Sequence, residues 1–427
     1  MVLISFSPAW VTGQTKPKQR YSLNFQSTVI QQGKFASRST YDSTNSLTGK
    51  AAEARSLTST LFLDVYLSKR LTVKINPEMA GGSGLSQARG LGGFSNGETF
   101  RIGNPAPALY LARGVLEYTI PLGSGKMIRC EDHPLNDSIP EEGLLIGIGK
   151  FSLMDYLDGN SFSHDPRDQF LNWGLMSSGA YDYGANTRGY TVGAVVNYFS
   201  PNWELSFACN QLPTYANGPD LDKHITKAFG LNFSVERKWT NRLGKGVVRT
   251  LVFYNQTKMA SYSQATKNPD GPDLASNRQY GRSKTGIAIS AEQVLGIDKG
   301  IFARLSWNDG HNETWAFTEI DHSVAIGFQG SGFRQSKKDA DIWGIAFLGN
   351  GLSPDHRNFL KRGGLGFMLG DGRLNYAPEL ILESYYRFSV PNTGITISPD
   401  LQFVANPGYN ADRGPVLLYA VRFHVEM

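Results

Sequence analysis

Strict alternation of apolar and polar residues dominates the chain. In 21–29 the apolar set Tyr21, Leu23, Phe25 and Val29 alternates with Ser22, Asn24, Gln26 and Thr28. In 70–78, Leu71, Val73 and Ile75 stand between Arg70, Thr72, Lys74, Asn76 and Glu78. Near the end, Tyr419, Val421, Phe423 and Val425 stand between Ala420, Arg422 and His424. Period two puts successive side chains on opposite faces of a strand, so each segment predicts a strand with one apolar and one polar face. The pattern recurs in 57–67, 229–236, 382–388 and 395–403. Further strands are expected near 108–120, 143–151, 190–199, 202–210, 246–256, 284–293, 299–307, 320–330 and 339–348. The total is about 16, while helical spacing is scarce and glycine interrupts most windows. Polar segments 80–107, 124–142, 152–189, 259–283 and 349–377 join the strands. The longest is 152–189, and a loop of that length in a compact fold is usually functional.

The character of the two faces selects the class. The polar faces carry full charges (Arg70, Lys74, Glu78, Glu236, Glu383, Arg387, Arg422), more than a solvated outer face needs but compatible with a watery lumen. The apolar faces are large and aromatic. Tyr198, Trp203, Tyr254, Trp307, Tyr386 and Tyr419 fall near the expected strand ends, where aromatic girdles stand at a membrane interface. A soluble sandwich or propeller is the competing reading, but no repeat of about 40–50 residues marks propeller blades. The expected fold class is all-β: a single antiparallel transmembrane β-barrel of about 16 strands, with long loops on one side; an inward-folded constriction loop is expected from the family resemblance given below. No linker divides 21–427, which is expected to be one barrel domain. Residues 1–20 form an N-terminal segment whose apolar start, MVLISFSPAWV, reads as the remainder of a signal peptide without a basic n-region, the alternative being an ordinary first segment.

Composition narrows the function classes. Among 427 residues, 12% are aromatic and only 19% charged, the reverse of a disordered chain. No apolar run of about 18 residues occurs, which excludes a bundle of membrane helices and leaves a barrel open. The net charge of +5, from 42 basic against 37 acidic residues, is too mild to imply a nucleic-acid partner. Two cysteines, Cys130 and Cys209, define neither a disulfide framework nor a zinc spacing. GxGxxG after a strand, GxxxxGK[ST], HExxH and GxSxG are all missing. His164-Asp165-Pro166-Arg167-Asp168 has the residue types for proton transfer, yet reads better as a polar loop held by Asp–Arg pairs. Asp309-Gly310-His311-Asn312-Glu313 lacks the EF-hand register and reads as a solvated turn. No catalytic residue, metal or cofactor is expected.

Five strings carry a family resemblance: 149–174 (GKFSLMDYLDGNSFSHDPRDQFLNWG), 178–190 (SGAYDYGANTRGY), 303–310 (ARLSWNDG), 363–379 (GGLGFMLGDGRLNYAPE) and 405–415 (ANPGYNADRGP). In this order they resemble the OprB-type carbohydrate-selective porins of the Gram-negative outer membrane. The resemblance runs from about residue 20 to the end. It implies a single barrel that lets small sugars diffuse passively into the periplasm. Its partners would be mono- or oligosaccharides and outer-membrane lipid, and it would stand as a monomer or a homotrimer. The alternatives are a general small-solute porin, a polysaccharide-export porin, or an outer-membrane barrel enzyme. The last needs a Ser or His/Asp constellation near one rim. Such barrels usually end in an aromatic residue. Here the sequence reads His424-Val425-Glu426-Met427, and Phe423 is expected to serve instead.

A sugar is neutral, rich in hydroxyls, and has a CH-lined face. A pore that prefers it should offer paired charges of both signs and an aromatic surface for stacking. By alternation the inward face carries Arg70, Lys74, Glu78, Arg113, Glu117, Glu204, Glu236, Arg249, Glu292, Arg304, Glu383, Arg387 and Arg422. Inward-folded loops would add Arg89, Arg101, Asp165, Arg167, Asp168 and Trp173. Arg113 is the first candidate for the constriction and Arg89 the second. The competing reading for every wall charge is an ordinary lumen residue satisfied by its neighbours, and for the loop residues a pin that fixes the loop.

Overall fold

A computed structural model describes residues 20–98, 105–123, 127–129, 138–334 and 340–427. The leader-like segment, apart from Arg20, and Arg101 lie outside the described residues. The barrel strands are β1 (Tyr21–Lys34), β2 (Ala52–Tyr66), β3 (Leu71–Gly82), β4 (Ala108–Pro121), β5 (Gly143–Phe151), β6 (Thr191–Phe199), β7 (Trp203–Gln211) and β8 (Phe229–Thr240). They continue as β9 (Lys245–Met259), β10 (Gln279–Gly296), β11 (Lys299–Asn308), β12 (His322–Ser331), β13 (Ile342–Gly351), β14 (Glu379–Val390), β15 (Ile395–Ala405) and β16 (Val416–Glu426). Each pairs antiparallel with its sequence neighbours. β1 then pairs with β16, from Gln26↔Glu426 to Lys34↔Leu418, and closes the barrel. Closure leaves no strand edge whose backbone groups would face hydrocarbon.

The connections alternate in length. Short turns at 67–70, 200–202, 241–244, 297–298 and 391–394 lie at one end, and the loops between the other strand ends are long. The stretch from 122 to 142 is an exception on the short-turn end, where Met127–Arg129 pairs with Ser138–Pro140 in a small hairpin. In barrels of this kind short turns face the periplasm and long loops the outside. Arg70 is placed differently from the sequence reading: it sits exposed in the 67–70 turn, with its backbone N–H on Ser68 Oγ at 3.2 Å. β3 begins only at Leu71, so Arg70 is not part of the inner wall.

Within the strands the two faces separate as period two demands. Ile75, Phe233, Val421 and Phe423 are exposed on the outside, while Asn76, Glu78, Asn232, Ser234, Arg422 and His424 are buried inside. Leu71, Val73 and Leu231 lie half-buried on the outer face. The outward aromatics form two belts. Tyr198, Trp203 and Tyr386 stand toward the short turns, whereas Tyr254, Trp307 and Tyr419 stand toward the long loops. Across the belts, rings cover glycines: Tyr419 lies over its partner Gly33 and Trp343 over Gly330, filling the place a Cβ would take. The apolar core lies inside the barrel, built from loops. Phe94, Phe151, Leu153, Trp173, Tyr181, Tyr183, Tyr262, Phe317 and Phe359 pack together there.

Candidate functional site

The segment between β5 and β6, residues 152–190, folds into the barrel and is held by wall side chains from nearly every side. Arg422 of β16 donates to the carbonyls of Pro166 (2.6 Å) and Gln169 (2.8 Å). Glu383 of β14 accepts the N–H groups of Leu171 (2.5 Å) and Asn172 (3.1 Å). Arg304 of β11 pairs with Asp158 (2.7 Å) and donates to the Ser163 carbonyl (2.6 Å). Glu292 of β10 takes the N–H (2.7 Å) and hydroxyl (2.8 Å) of Ser161. Asn210 and Asn255 donate to the Gly184 and Asp182 carbonyls on the far side. A loop withdrawn from water needs partners for its backbone, and these polar wall residues supply them.

That arrangement corrects three of the expected pore-lining residues. Arg304, Glu383 and Arg422 point inward, but at 1%, 0% and 0% exposure they lie beneath the loop and meet no passing solute. Trp173 is corrected as well. It opens a four-residue helix capped by Asn172, whose side chain accepts the Gly174 N–H at 3.0 Å. Its indole stacks on Phe317 at 4.4 Å and 3° and is 6% exposed, so it is core rather than an open sugar platform. Arg89 donates to the Thr44 carbonyl at 3.2 Å and ties two long loops together.

The remaining candidates gather in two places. The larger is a ladder along β3 and β4. Glu78, expected to line the pore, is corrected on the same ground: at 1% exposure it is an anchor behind the wall surface, accepting Thr60 Oγ1 (2.6 Å) and the hydroxyls of Tyr190 and Tyr110. The Arg188 guanidinium stacks over the Tyr110 ring at 3.9 Å, and that of Arg113 lies 5.4 Å from the Tyr190 ring. Arg113 then grips Asp155 through a fork of two bonds, 2.7 and 2.5 Å, with both side chains partly exposed. Burial works against an ionised Asp155, but Arg113 outweighs it and holds the carboxyl below its usual range. Below them Tyr156 donates to Glu117 at 2.6 Å, and Lys74 pairs with the same carboxylate at 3.0 Å.

The second group lies within 165–168. Asp165 turns the loop by accepting the Arg167 N–H at 2.9 Å. Arg167 pairs with Glu98 at 3.1 Å and reaches toward Glu78 at 3.9 Å, while Asp168 meets Arg387 at 3.2 Å. Burial raises the Glu98 carboxyl above its ordinary range, with Arg167 opposing. A further charge network lines the short-turn half of the wall. Arg249 bridges Glu236 and Glu292, and Lys238 bridges Glu204 (2.7 Å) and Glu236 (3.2 Å).

Sequence reasoning missed Tyr110, Asp155, Tyr156, Arg188, Tyr190 and Lys238. Tyr110 escaped because β4 carries a bulge: Asn76 faces Arg113, yet the next residue, Pro77, faces Leu111. The extra residue brings both Tyr110 and Arg113 inward, which no strict alternation allows. Proline opposite, with no N–H for the ladder, was the available signal.

The family description "Carbohydrate-selective porin, OprB family" matches residues 50–427. The chain belongs to the OprB family of carbohydrate-selective porins. It is therefore a carbohydrate channel of the Gram-negative outer membrane and not an enzyme. A high-pH structure of Pseudomonas putida OprB superposes with a TM-score of 0.69 at 15% identity, over 95% of this chain and 94% of that one. A low-pH structure of the same protein gives 0.50 at 12% identity, over 95% and 92%. The outer-membrane channel DcaP of Acinetobacter baumannii gives 0.50 at 10% identity, over 95% and 97%. At these identities the structures speak for the barrel fold, which OprB shares. No curated sequence matches this porin.

Proposed function

We propose that mono- and oligosaccharides diffuse into the periplasm along the β3–β4 wall, past the Arg113–Asp155 pair. The observation that carries this reading is the ladder itself, in which partly exposed charges of both signs and tyrosines follow one another: Arg188 on Tyr110, Arg113 with Asp155, Lys74 and Tyr156 with Glu117, while the buried Glu78 and Tyr190 anchor it from behind. Opposed charges cancel most of the field that would draw in one sign of ion. Their donors and acceptors still serve hydroxyl groups, and the rings serve the CH face of the sugar. Each contact must be weak, because a solute held tightly would not leave. A millimolar affinity, about −4 kcal/mol, fits such a path. Asp165, Arg167, Asp168 and Arg387 form the second candidate group, beside the same inward loop. Liposome swelling with a sugar series, set against charged solutes of equal size, tests the reading. Faster entry of sugars supports it; equal rates for all solutes make this a general porin, and preferential passage of long chains favours an export role.

Assembly as a homotrimer is favoured over a lone barrel by one outward sector. On β1 and β2, Ser27 bonds Ser59 across the strands at 2.7 Å, and Gln31 accepts from Arg55 at 2.9 Å. These polar groups share the face of Leu23 and Leu61, where lipid would otherwise lie. Packing against a second copy, as related porins often do, would shelter them. Light scattering of the purified porin in detergent should give the mass of three chains, and a single-chain mass would overturn the assignment.

A further inference from the structure

The outer surface at the long-loop rim of β8–β10 carries cations that find no carboxylate. Lys227 stands in the turn that leads into β8, where its N–H bonds the His224 carbonyl at 2.8 Å, and Lys258 stands at the long-loop end of β9. Both side chains are exposed, and Lys258 has the outward parity of Tyr254 and Gln256 on β9. Among the described residues no ion pair reaches Lys223, Lys227 or Lys258.

An aromatic ring is turned to the same spot by a break in register. β9 and β10 pair at Thr257↔Arg282 and next at Met259↔Gln279, so β10 uses one residue more. Arg282 is thereby held among loop carbonyls of Met259 and Asn277, while Tyr280 faces the lysines. The Tyr280 ring lies 5.7 Å from Lys227 Nζ, 5.9 Å from Lys258 Nζ and 5.9 Å from the His224 ring. The acid nearby is already engaged. Asp222 is buried and accepts the Tyr280 hydroxyl, His224 Nδ1 and the His224 N–H, each at 2.8 Å. Ile225, 61% exposed, adds an apolar side chain between His224 and Lys227.

We propose that this rim binds the phosphate-bearing sugar headgroup of an outer-leaflet glycolipid. Its position selects a lipid over a soluble anion. The patch faces sideways, just beyond the Phe229–Tyr254 ring pair (6.1 Å), which belongs to the aromatic belt, and headgroups stand at that level. Its chemistry selects phosphate: two compact ammonium groups beside one tyrosine ring, neither held by a carboxylate, give charge-assisted bonds to phosphate oxygens. The Tyr280 face and Ile225 meet the less polar parts of the headgroup.

The experiment titrates the purified porin in detergent with diphosphoryl lipid A and with its dephosphorylated form, read by native mass spectrometry. The porin should retain the diphosphoryl form selectively, and millimolar inorganic phosphate should not displace it. Lys227→Gln with Lys258→Gln should weaken retention about ten-fold, whereas Lys227→Arg with Lys258→Arg should preserve it; sugar-driven swelling should be the same in all three proteins. Equal retention of the two lipid forms by the unaltered porin would overturn the proposal. So would displacement by inorganic phosphate, or undiminished retention by the glutamine variant with its barrel shown intact by heat-modifiable migration.

Discussion

Replacing Arg113 with alanine removes the cation that Asp155 holds through bonds of 2.7 and 2.5 Å and leaves that carboxylate with the Ser152 N–H at 3.1 Å. The ladder then carries one uncompensated negative charge beside the solute path. For an ion passing about 6 Å away in a water-like dielectric, one unit charge is worth about 0.7 kcal/mol, in favour of a cation and against an anion, or roughly a ten-fold change in the cation-to-anion ratio, less at high salt. The sugar loses a donor whose net worth to a hydroxyl is about 1 kcal/mol, which weakens block by about five-fold. Planar-bilayer recordings read both effects, the first from the reversal potential in a salt gradient and the second from sugar-induced current block. Arg113→Ala should shift selectivity toward cations and weaken block together. Adding Asp155→Ala should restore the ion selectivity and leave the block weak, because charge is then balanced while the donor is still missing. Unchanged block with unchanged selectivity in the single variant would remove Arg113 from the path. A shift that persists in the double variant would trace the effect to loop rearrangement instead of charge.

Arg422→Met should leave the Pro166 and Gln169 carbonyls buried without a donor, at about 1–3 kcal/mol for each. Urea unfolding in lipid vesicles should show the loss and protease should reach 152–190 sooner; an unmoved midpoint with unmoved protection would mean that the loop is held elsewhere. His356 gives the long-loop plug a pH dependence. The ring is buried against Tyr262 at 4.1 Å, with Nδ1 3.1 Å from Asp321 and Nε2 3.7 Å from Glu319. Burial alone would lower its pKa, but Asp321 and Glu319 outweigh burial and raise it above the ordinary imidazole value. A raised folded pKa means that the stabilisation is complete below about pH 6.5 and is lost as pH climbs through the elevated value. Proteolysis of 352–378 should therefore quicken as pH rises from about 6.5 through the raised pKa, and should lose that slope in His356→Gln. A flat profile in the unaltered porin would refute the assignment.

Alternation by itself determined the strands and their faces, because period two is a local property and a barrel in lipid buries one face of every strand in hydrocarbon. Leu71, Val73 and Ile75 against Lys74, Asn76 and Glu78 say which way β3 faces before any partner strand is known. The five strings that carried the family resemblance, mostly from the long loops, were legible for the same reason, since each is contiguous in the chain. What the alternation could not convey is depth, or what stands in front of an inward side chain. Arg304, Glu383 and Arg422 read like Arg113 in sequence, yet they are covered by 152–190, which forms contacts with residues more than 100 positions away. Trp173 reads as a platform and is core, because Phe317 is brought against it only by folding. Tyr110 was hidden by one extra residue in β4, which reverses parity at the point where the ladder runs. The candidate path was decided by tertiary structure, because burial and charge pairing there depend on a loop that folds back across the barrel rather than on any neighbour along the chain.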